Sequence, residues 1–142
     1  VASLVMRRLQ DRVLRADRPP ELRPLPLDPE ALRRRYGPAA QACAGELAGK
    51  VLDAAACDRL NAWLEAHWQE LRAELAEVAI PPDALASVLT AAGAPTSGAD
   101  LGLPSPFWRD AIRHAREVRN RFSMLDIAAH AGLLDDFAAG EA

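Results

Sequence analysis

The side chains in this sequence that could carry chemistry are three histidines, two cysteines and a run of arginines. His114 and Glu117 are three residues apart, which places both on one face of a helix, a spacing that can bind a metal ion in helical bundles. Arg113 and Arg121 each lie four residues from Glu117, one turn away on either side. Because opposite charges at this spacing pair across a helix surface, we expect an ion-pair ladder here rather than a metal site.

The other histidines and both cysteines do not form a recognisable site. His67 and His130 lie on two further predicted helices, so a metal centre would need them to converge with carboxylates. Cys43 and Cys57 form no C-x-x-C pair and have no histidine at ligand spacing. Cys43 lies in an alanine-rich segment, where a small buried thiol is typical. We therefore predict no catalytic, cofactor-binding or metal-ligating residue in the chain.

Four arginines share one segment near the C-terminal end: Arg109, Arg113, Arg116 and Arg119. Guanidinium groups bind phosphates and carboxylates bidentately, so this row could form an anion clamp. Asp110 and Glu117 are interleaved with the arginines and neutralise part of their charge. We predict a solvated helix face.

Composition and length restrict the classes of function. A chain of 142 residues is long enough for one domain with a real core. A net charge of -3 argues against nonspecific nucleic-acid binding, which needs an excess of positive charge. No apolar run approaches the roughly 20 residues that a membrane-spanning helix requires. We expect no nucleic-acid partner, no membrane insertion and a cytoplasmic location.

The spacing of apolar residues predicts an all-α fold, a bundle of about six or seven helices. No segment shows the two-residue alternation or the buried Val/Ile runs of strands. Residues 1–14, 29–36, 39–51, 56–79, 83–92, 107–122 and 123–132 are the predicted helices. Two irregular segments connect them: a proline-rich linker at 15–27, with Leu22, Leu25 and Leu27 as anchors, and a crossing at 94–106, with Leu101 and Leu103 as anchors.

Short local patterns predict several of the helix boundaries. Asp28 and Pro29 predict a start, and Gly37 followed by Pro38 predicts a stop. Asp83 can cap the helix that Gly93 closes. The longest predicted helix has one apolar face, and core packing is expected for both of its tryptophans. That face comprises Leu60, Trp63, Leu64, Trp68, Leu71, Leu75 and Val78.

The segment 107–134 is the most regular part of the chain. Its apolar residues recur at three-and-four spacing and predict a helix with one buried face. They are Phe107, Trp108, Ala111, Ile112, Ala115, Val118 and Phe122. Ser123, with Asp126 three residues on, has the pattern of a capping box, so a second helix is expected to start with almost no loop.

This segment carries a resemblance to a known family. The run HAREVRNRFSMLDIA from His114, continuing to Gly132 and Leu133 and preceded by AAGAPT from Ala91, resembles the C-terminal end of bacterial sn-glycerol-1-phosphate dehydrogenases. These enzymes are relatives of iron-containing alcohol dehydrogenases and dehydroquinate synthases. Phe122 and Ser123 stand where family members commonly have tyrosine and threonine.

The resemblance implies a two-domain parent protein, with an α/β domain that binds NAD(P) and an all-helical domain. It also implies a divalent metal, zinc or nickel, held by one aspartate and two histidines, the second of them in a motif that opens a helix. Val1 to Val5 looks like the continuation of that helix. We therefore expect residues 1–142 to be the C-terminal helical domain, truncated at its N-terminal side, without the cofactor-binding domain or the metal ligands.

The activity implied for the parent is the interconversion of dihydroxyacetone phosphate and sn-glycerol 1-phosphate, and residues 1–142 alone are expected to be an inactive scaffold. The implied partners are the missing N-terminal domain, the phosphate substrate of the parent and a second copy in a homodimer. A related iron-type alcohol dehydrogenase or sugar-phosphate cyclase is an alternative parent. A free-standing helical interaction or regulatory module is the alternative from another class. A wide apolar patch beside Val1, Val5 and Leu9 would favour a missing domain.

Overall fold

The computed structural model describes residues 1–141, and these residues form α-helices and short 3-10 helices with no strand among them. The predicted all-α fold is confirmed. The eight α-helices are α1 (Ala2–Leu14), α2 (Pro29–Tyr36), α3 (Ala40–Ala48), α4 (Ala54–Val78), α5 (Pro82–Ala91), α6 (Ser105–His114), α7 (Met124–His130) and α8 (Leu134–Gly140). The 3-10 helices are Gly37–Ala39, Ala99–Leu101 and Ala115–Val118. None of the helices in this part of the chain has the length and apolar character needed to cross a membrane.

Capping side chains define the helix starts that local sequence predicted best. Asp28 accepts hydrogen bonds from the backbone N–H groups of Glu30 and Ala31 at the start of α2, and Pro29 occupies the first turn. Gly37 ends that helix with a φ of 52°, a conformation that favours glycine. Asp53 caps α4 in the same way, because its carboxylate accepts a hydrogen bond from the Ala56 N–H at 2.7 Å.

The core lies where α1, α4, α6, α7 and α8 meet. Leu9 of α1 is fully buried, Trp68 of α4 is nearly so, and Phe137 brings α8 against them. Removing these apolar surfaces from water is the main stabilising contribution to such a bundle. Helix α8 begins at Leu134, beyond the last of the predicted helices, which ends at residue 132.

The proline-rich linker crosses this core as an extended strap, which we define as residues 15–27. Leu22 is its buried anchor, and Asn61 of α4 bonds both backbone groups of Leu22, at 2.8 Å to N–H and 2.9 Å to the carbonyl. The indole of Trp68 donates to the Ala16 carbonyl at 2.9 Å. The anchor predicted at Leu25 is wrong, because that side chain is 37% exposed.

The apolar face predicted for the longest helix is too wide. Trp63 is 47% exposed and Val78 is 77% exposed, while Leu64 is buried. Trp63 precedes Leu64 by one residue, which turns it about 100° around the helix from the buried stripe. The ring of Trp63 stacks on His67 with centroids 4.7 Å apart, so the predicted core packing of this tryptophan is wrong.

Two details of the following connection also differ from prediction. Helix α5 already starts at Pro82, so Asp83 lies in its first turn and makes no capping hydrogen bond. In the crossing, Leu101 is 47% exposed and anchors nothing. The contact that fixes the crossing is Gly98 against the Trp108 ring, where an added methyl group would collide with the indole.

The helix predicted for residues 107–122 is shorter in the structure. Helix α6 ends at His114, a 3-10 helix covers Ala115–Val118, and the chain is extended at Arg119. Phe107, at 59% exposed, and Phe122, at 40%, are not core residues. The predicted absence of a loop is therefore wrong, and the reason is Arg116, whose side chain turns inward at this point.

Candidate functional site

Three buried charged side chains connect α3 to the junction between α6 and α7. Lys50, just after α3, is 5% exposed, Arg116 is 7% exposed and Asp126 is fully buried. Lys50 Nζ and Arg116 Nε each lie 2.9 Å from the same oxygen, Oδ1 of Asp126. We call this cluster the buried triad.

The second carboxylate oxygen of Asp126 closes the capping box of α7. Ser123 donates to Oδ2 of Asp126 from its backbone N–H at 2.9 Å and from its hydroxyl at 3.1 Å. The predicted capping box is confirmed. Because Asp126 receives two cations on one oxygen and two neutral donors on the other, its desolvation is offset by four contacts.

Lys50 also holds the backbone of the junction. Its ammonium donates to the Arg116 carbonyl at 2.5 Å and lies 3.4 Å from the Arg121 carbonyl. Sequence reasoning did not single out this residue. The available signal was that Lys50 is the only lysine in an arginine-rich chain, since a compact ammonium suits three separate acceptors better than a planar guanidinium does.

A second polar cluster surrounds Glu117, next to the buried triad. Glu117 accepts from Arg35 Nη1 at 2.6 Å and from the Tyr36 hydroxyl at 2.9 Å, and His114 Nδ1 lies 3.1 Å from its other oxygen. The predicted ladder with Arg113 and Arg121 is wrong. Two of its partners, Arg35 and Tyr36, come from α2, and the third, His114, is the last residue of α6, because Glu117 lies on a 3-10 helix that does not continue α6.

The Tyr36 hydroxyl is a permanent donor in this cluster. Burial raises the pKa of Tyr36 well above its usual value, and the hydrogen bond to Glu117 and the negative charge of Glu117 raise it further. The phenol therefore stays protonated, and it ties α2 to the junction after α6.

The arginine row does not form one surface. Arg116 is buried in the triad, so the prediction of a solvated face is wrong for this residue. Arg113 Nε lies 2.9 Å from Asp135 Oδ1, an ion pair that joins α6 to α8. Arg119 is exposed. Because these arginines lie in different surroundings, they do not form an anion clamp.

The remaining candidates take structural roles. His130 is 3% exposed, and its Nδ1 donates to the Arg23 carbonyl of the strap at 2.8 Å. His67 Nδ1 contacts the Trp63 carbonyl at 2.8 Å. Cys43 and Cys57 are buried free thiols, as predicted for Cys43, and burial raises the pKa of the Cys57 thiol. Within residues 1–141, no three His, Cys, Asp or Glu side chains are grouped as a metal site.

An apolar groove of about 170 Å³ lies between α1 and α6. Small and aliphatic side chains line it, with Val5, Met6 and Leu9 on one side and Trp108 and Ile112 on the other. Leu9 and Ile112 belong to the core, so the groove is a place where core residues reach the surface. Val5 and Leu9, two residues of the N-terminal helix, are part of this lining.

Comparison with protein-family models, with characterised proteins and with solved structures found no match in any of the three. The resemblance in residues 91–134 therefore remains a prediction. The geometry itself defines a class of site, a buried ion-pair junction that positions helices and has no open reactive group.

Proposed function

We propose that this chain is the helical scaffold domain of an NAD(P)- and metal-dependent oxidoreductase of the glycerol-1-phosphate dehydrogenase kind. The supporting observation is that two of the five charged residues in the run from His114 to Ala128, Arg116 and Asp126, are buried and bonded to each other and to Lys50. Residues engaged in this way position helices and do not touch a substrate. A sequence signature made of such residues marks a structural junction of the domain.

The cofactor and the metal belong to other parts of the proposed parent protein. The described residues contain no strand with a glycine-rich turn for a dinucleotide and no grouping of metal ligands. No step of hydride transfer is therefore assigned to a residue of this chain. Its contribution is to hold the helices that form one wall of a cleft between two domains.

The face of α1 expected to meet a partner domain is largely covered by this chain itself. Val5 is 8% exposed and Leu9 is fully buried, so no wide apolar patch lies beside them in the described part of the chain, and this observation favours the second candidate below. Only the small apolar groove between α1 and α6 opens at this place. In the proposed parent, the cofactor-binding domain contacts this groove.

The coding sequence immediately upstream of Val1 provides the first test. The proposal predicts an in-frame α/β domain with a glycine-rich turn, followed by an H-G motif close to Val1. An in-frame stop codon followed by a start codon at this boundary would exclude a domain supplied by the same chain.

A free-standing helical interaction module is the second candidate. It is favoured by exposed apolar side chains around the connection between α4 and α5, where Val78 is 77%, Ile80 57% and Val88 65% exposed. In that case the upstream sequence lacks the α/β domain, and mutating Val88→Asp abolishes a protein complex while leaving the helical content of the chain unchanged. If the upstream domain is present, this candidate fails.

A further inference from the structure

A groove of about 490 Å³ lies between α1 and α4, away from the apolar groove and from the two polar clusters. Small and aliphatic side chains form its floor, and three arginines border it. The floor residues are Leu14, Ala73, Ala76 and Ala79, and the arginines are Arg7, Arg15 and Arg72. We call this surface the arginine groove.

The arginine groove keeps an excess of positive charge after every acidic neighbour is counted. Asp11 is the one acidic residue among its lining residues, and it pairs with Arg15 at 2.8 Å. Arg72 lies 3.6 Å from Asp17, a side chain that is 98% exposed, and pairs of this kind contribute little. With both carboxylates counted, one positive charge remains. It belongs to Arg7, which has no carboxylate partner in residues 1–141.

The unused nitrogens of two of these arginines reach solvent. Arg7 donates from Nε to the Ile80 carbonyl at 2.8 Å and from Nη1 to the Gln10 side chain at 3.0 Å. Arg72 donates from Nη1 to the Gln69 side chain at 3.1 Å. Among the described residues, neither arginine has a buried nitrogen without a partner. Nη2 of each is therefore open to an incoming acceptor.

The positive side chains lie at two levels along the groove. Arg7 and Arg15 are eight residues apart, about 12 Å along α1 at 1.5 Å per residue. Arg72 lies at the Arg15 level, because it contacts Asp17, whereas Arg7 contacts Ile80 beyond the other end of α4. A single small anion reaches one level only. Two carboxylates two turns apart on a helix, about 10.5–12 Å, reach both.

The acidic side chains of α4 lie on another side of that helix. They are absent from the lining of the groove and project about 140–160° around the axis from Arg72, at about 100° per residue. These residues are Glu70, Glu74 and Glu77. An acidic ligand in the groove therefore meets the arginines and not this face.

We propose that the arginine groove binds an acidic helix of a partner protein. Two carboxylates of that helix, two turns apart, pair with Arg7 at one level and with Arg15 and Arg72 at the other. Small apolar residues between them pack on the alanine floor, which lets two helix backbones approach closely. Laying one helix into a groove between two others is a common mode of peptide recognition. This interaction is independent of the oxidoreductase proposal.

Calorimetric titration of residues 1–142 with a synthetic helical peptide tests the surface. The peptide is alanine-rich, about 18 residues long, and carries two glutamates two turns apart, while the control peptide has glutamines at both positions. We expect saturable binding of the glutamate peptide at low salt, with a Kd of about 100 μM or tighter, and binding of the glutamine peptide at least about tenfold weaker. Equal binding of the two peptides, or saturation with neither, would overturn the proposal.

Competition and sedimentation distinguish the other occupants. We expect inorganic phosphate to displace the glutamate peptide no better than sodium chloride of equal ionic strength, and the peptide to leave the oligomeric state of the chain unchanged. Selective displacement by phosphate would assign the groove to a small anion. Dissociation of a self-associated chain by the peptide would assign it to a second copy. Either result would overturn the acidic partner helix.

A matched pair of double variants locates the binding. Arg7→Gln with Arg72→Gln removes two positive charges from the groove. Arg12→Gln with Arg59→Gln removes two from exposed positions on α1 and α4 outside its lining. We expect the first pair to weaken binding of the glutamate peptide by about tenfold or more and the second by less than about twofold. Circular dichroism verifies that both remain folded. Equal effects of the two pairs would mean that binding follows net charge alone and would refute the groove as the site.

Discussion

Asp126 concentrates more interactions than any other described carboxylate in the interior. A fully buried carboxylate is costly unless it is paired and hydrogen-bonded, and Asp126 contacts Lys50, Arg116 and both donors of Ser123. These partners come from the turn after α3, from the 3-10 helix after α6 and from the start of α7. One side chain thus fixes the relative positions of three elements.

Asp126 and Lys50 should contribute differently to the free energy of unfolding. Asp126→Asn leaves Lys50 and Arg116 buried without a counter-charge, and we expect it to lower the free energy of unfolding by about 3–5 kcal/mol. Lys50→Met leaves Asp126 paired with Arg116 and should cost less, about 1–3 kcal/mol, mainly through the unsatisfied carbonyl of Arg116. Urea unfolding of both variants measures the difference. A larger loss for Lys50→Met would contradict the central position of Asp126.

Gly98 should be the glycine least tolerant of a side chain. The Trp108 ring lies against its Cα, so Gly98→Ala forces the indole to move and is expected to cost about 1–3 kcal/mol by overpacking. Gly45→Ala, within α3 and facing open space, is the control and should stabilise by about 0.5–1 kcal/mol. Thermal unfolding with tryptophan fluorescence measures both changes. If both substitutions changed the stability in the same direction, the contact between Gly98 and Trp108 would not restrict the side chain at position 98.

Among the elements, those with local signals were predicted from the sequence and those with remote partners were not. The start and stop of α2 follow from Asp28, Pro29 and Gly37, all within one short segment. Helix α6 was predicted too long because apolar spacing continues past its end. Just past its end, the Arg116 carbonyl accepts from Lys50, a residue 66 positions away, and no local pattern carries that information.

The candidate site shows the same division. The capping box of Ser123 and Asp126 was predicted because both residues belong to one turn. The pairing of Glu117 with Arg35 was not predicted, because Arg35 lies 82 positions away in the sequence. It approaches Glu117 only when α2 packs beside the junction. Likewise, periodicity identified the buried stripe of α4 but not its width, which depends on the neighbouring strap and helices.

The cap of α2 should give a pH dependence of known sign. Its hydrogen bond with the Ala31 N–H lowers the pKa of Asp28 below its ordinary value of 3.8. Because the folded-state pKa is the lower one, the stabilisation is complete above pH 3.8 and is lost as the pH falls through the folded-state pKa. Asp28→Ala should therefore lower the Tm at pH 6, and the difference from the unaltered chain should shrink in acid. If the difference in Tm between Asp28→Ala and the unaltered chain grew as the pH fell, Asp28 would not stabilise α2 as an ionised cap.

In the molecule as a whole, the polar clusters and the apolar groove lie at different places. The polar clusters hold α2, α3, α6 and α7 together, and their side chains are engaged with one another. The apolar groove between α1 and α6 is where we propose that a further domain contacts this chain. Fold class was predictable from periodicity, whereas this groove required the packing of α1 against α6 and α7 to be seen.

The most direct test of the scaffold claim compares dehydrogenase activity of the complete gene product with that of residues 1–142 alone. Both are assayed for NADH and NADPH oxidation with dihydroxyacetone phosphate, in the presence of zinc or nickel. The account predicts turnover by the complete protein and none by residues 1–142. Turnover by residues 1–142 alone, or no turnover by a folded complete protein with this substrate or with those of related alcohol dehydrogenases and cyclases, would contradict it.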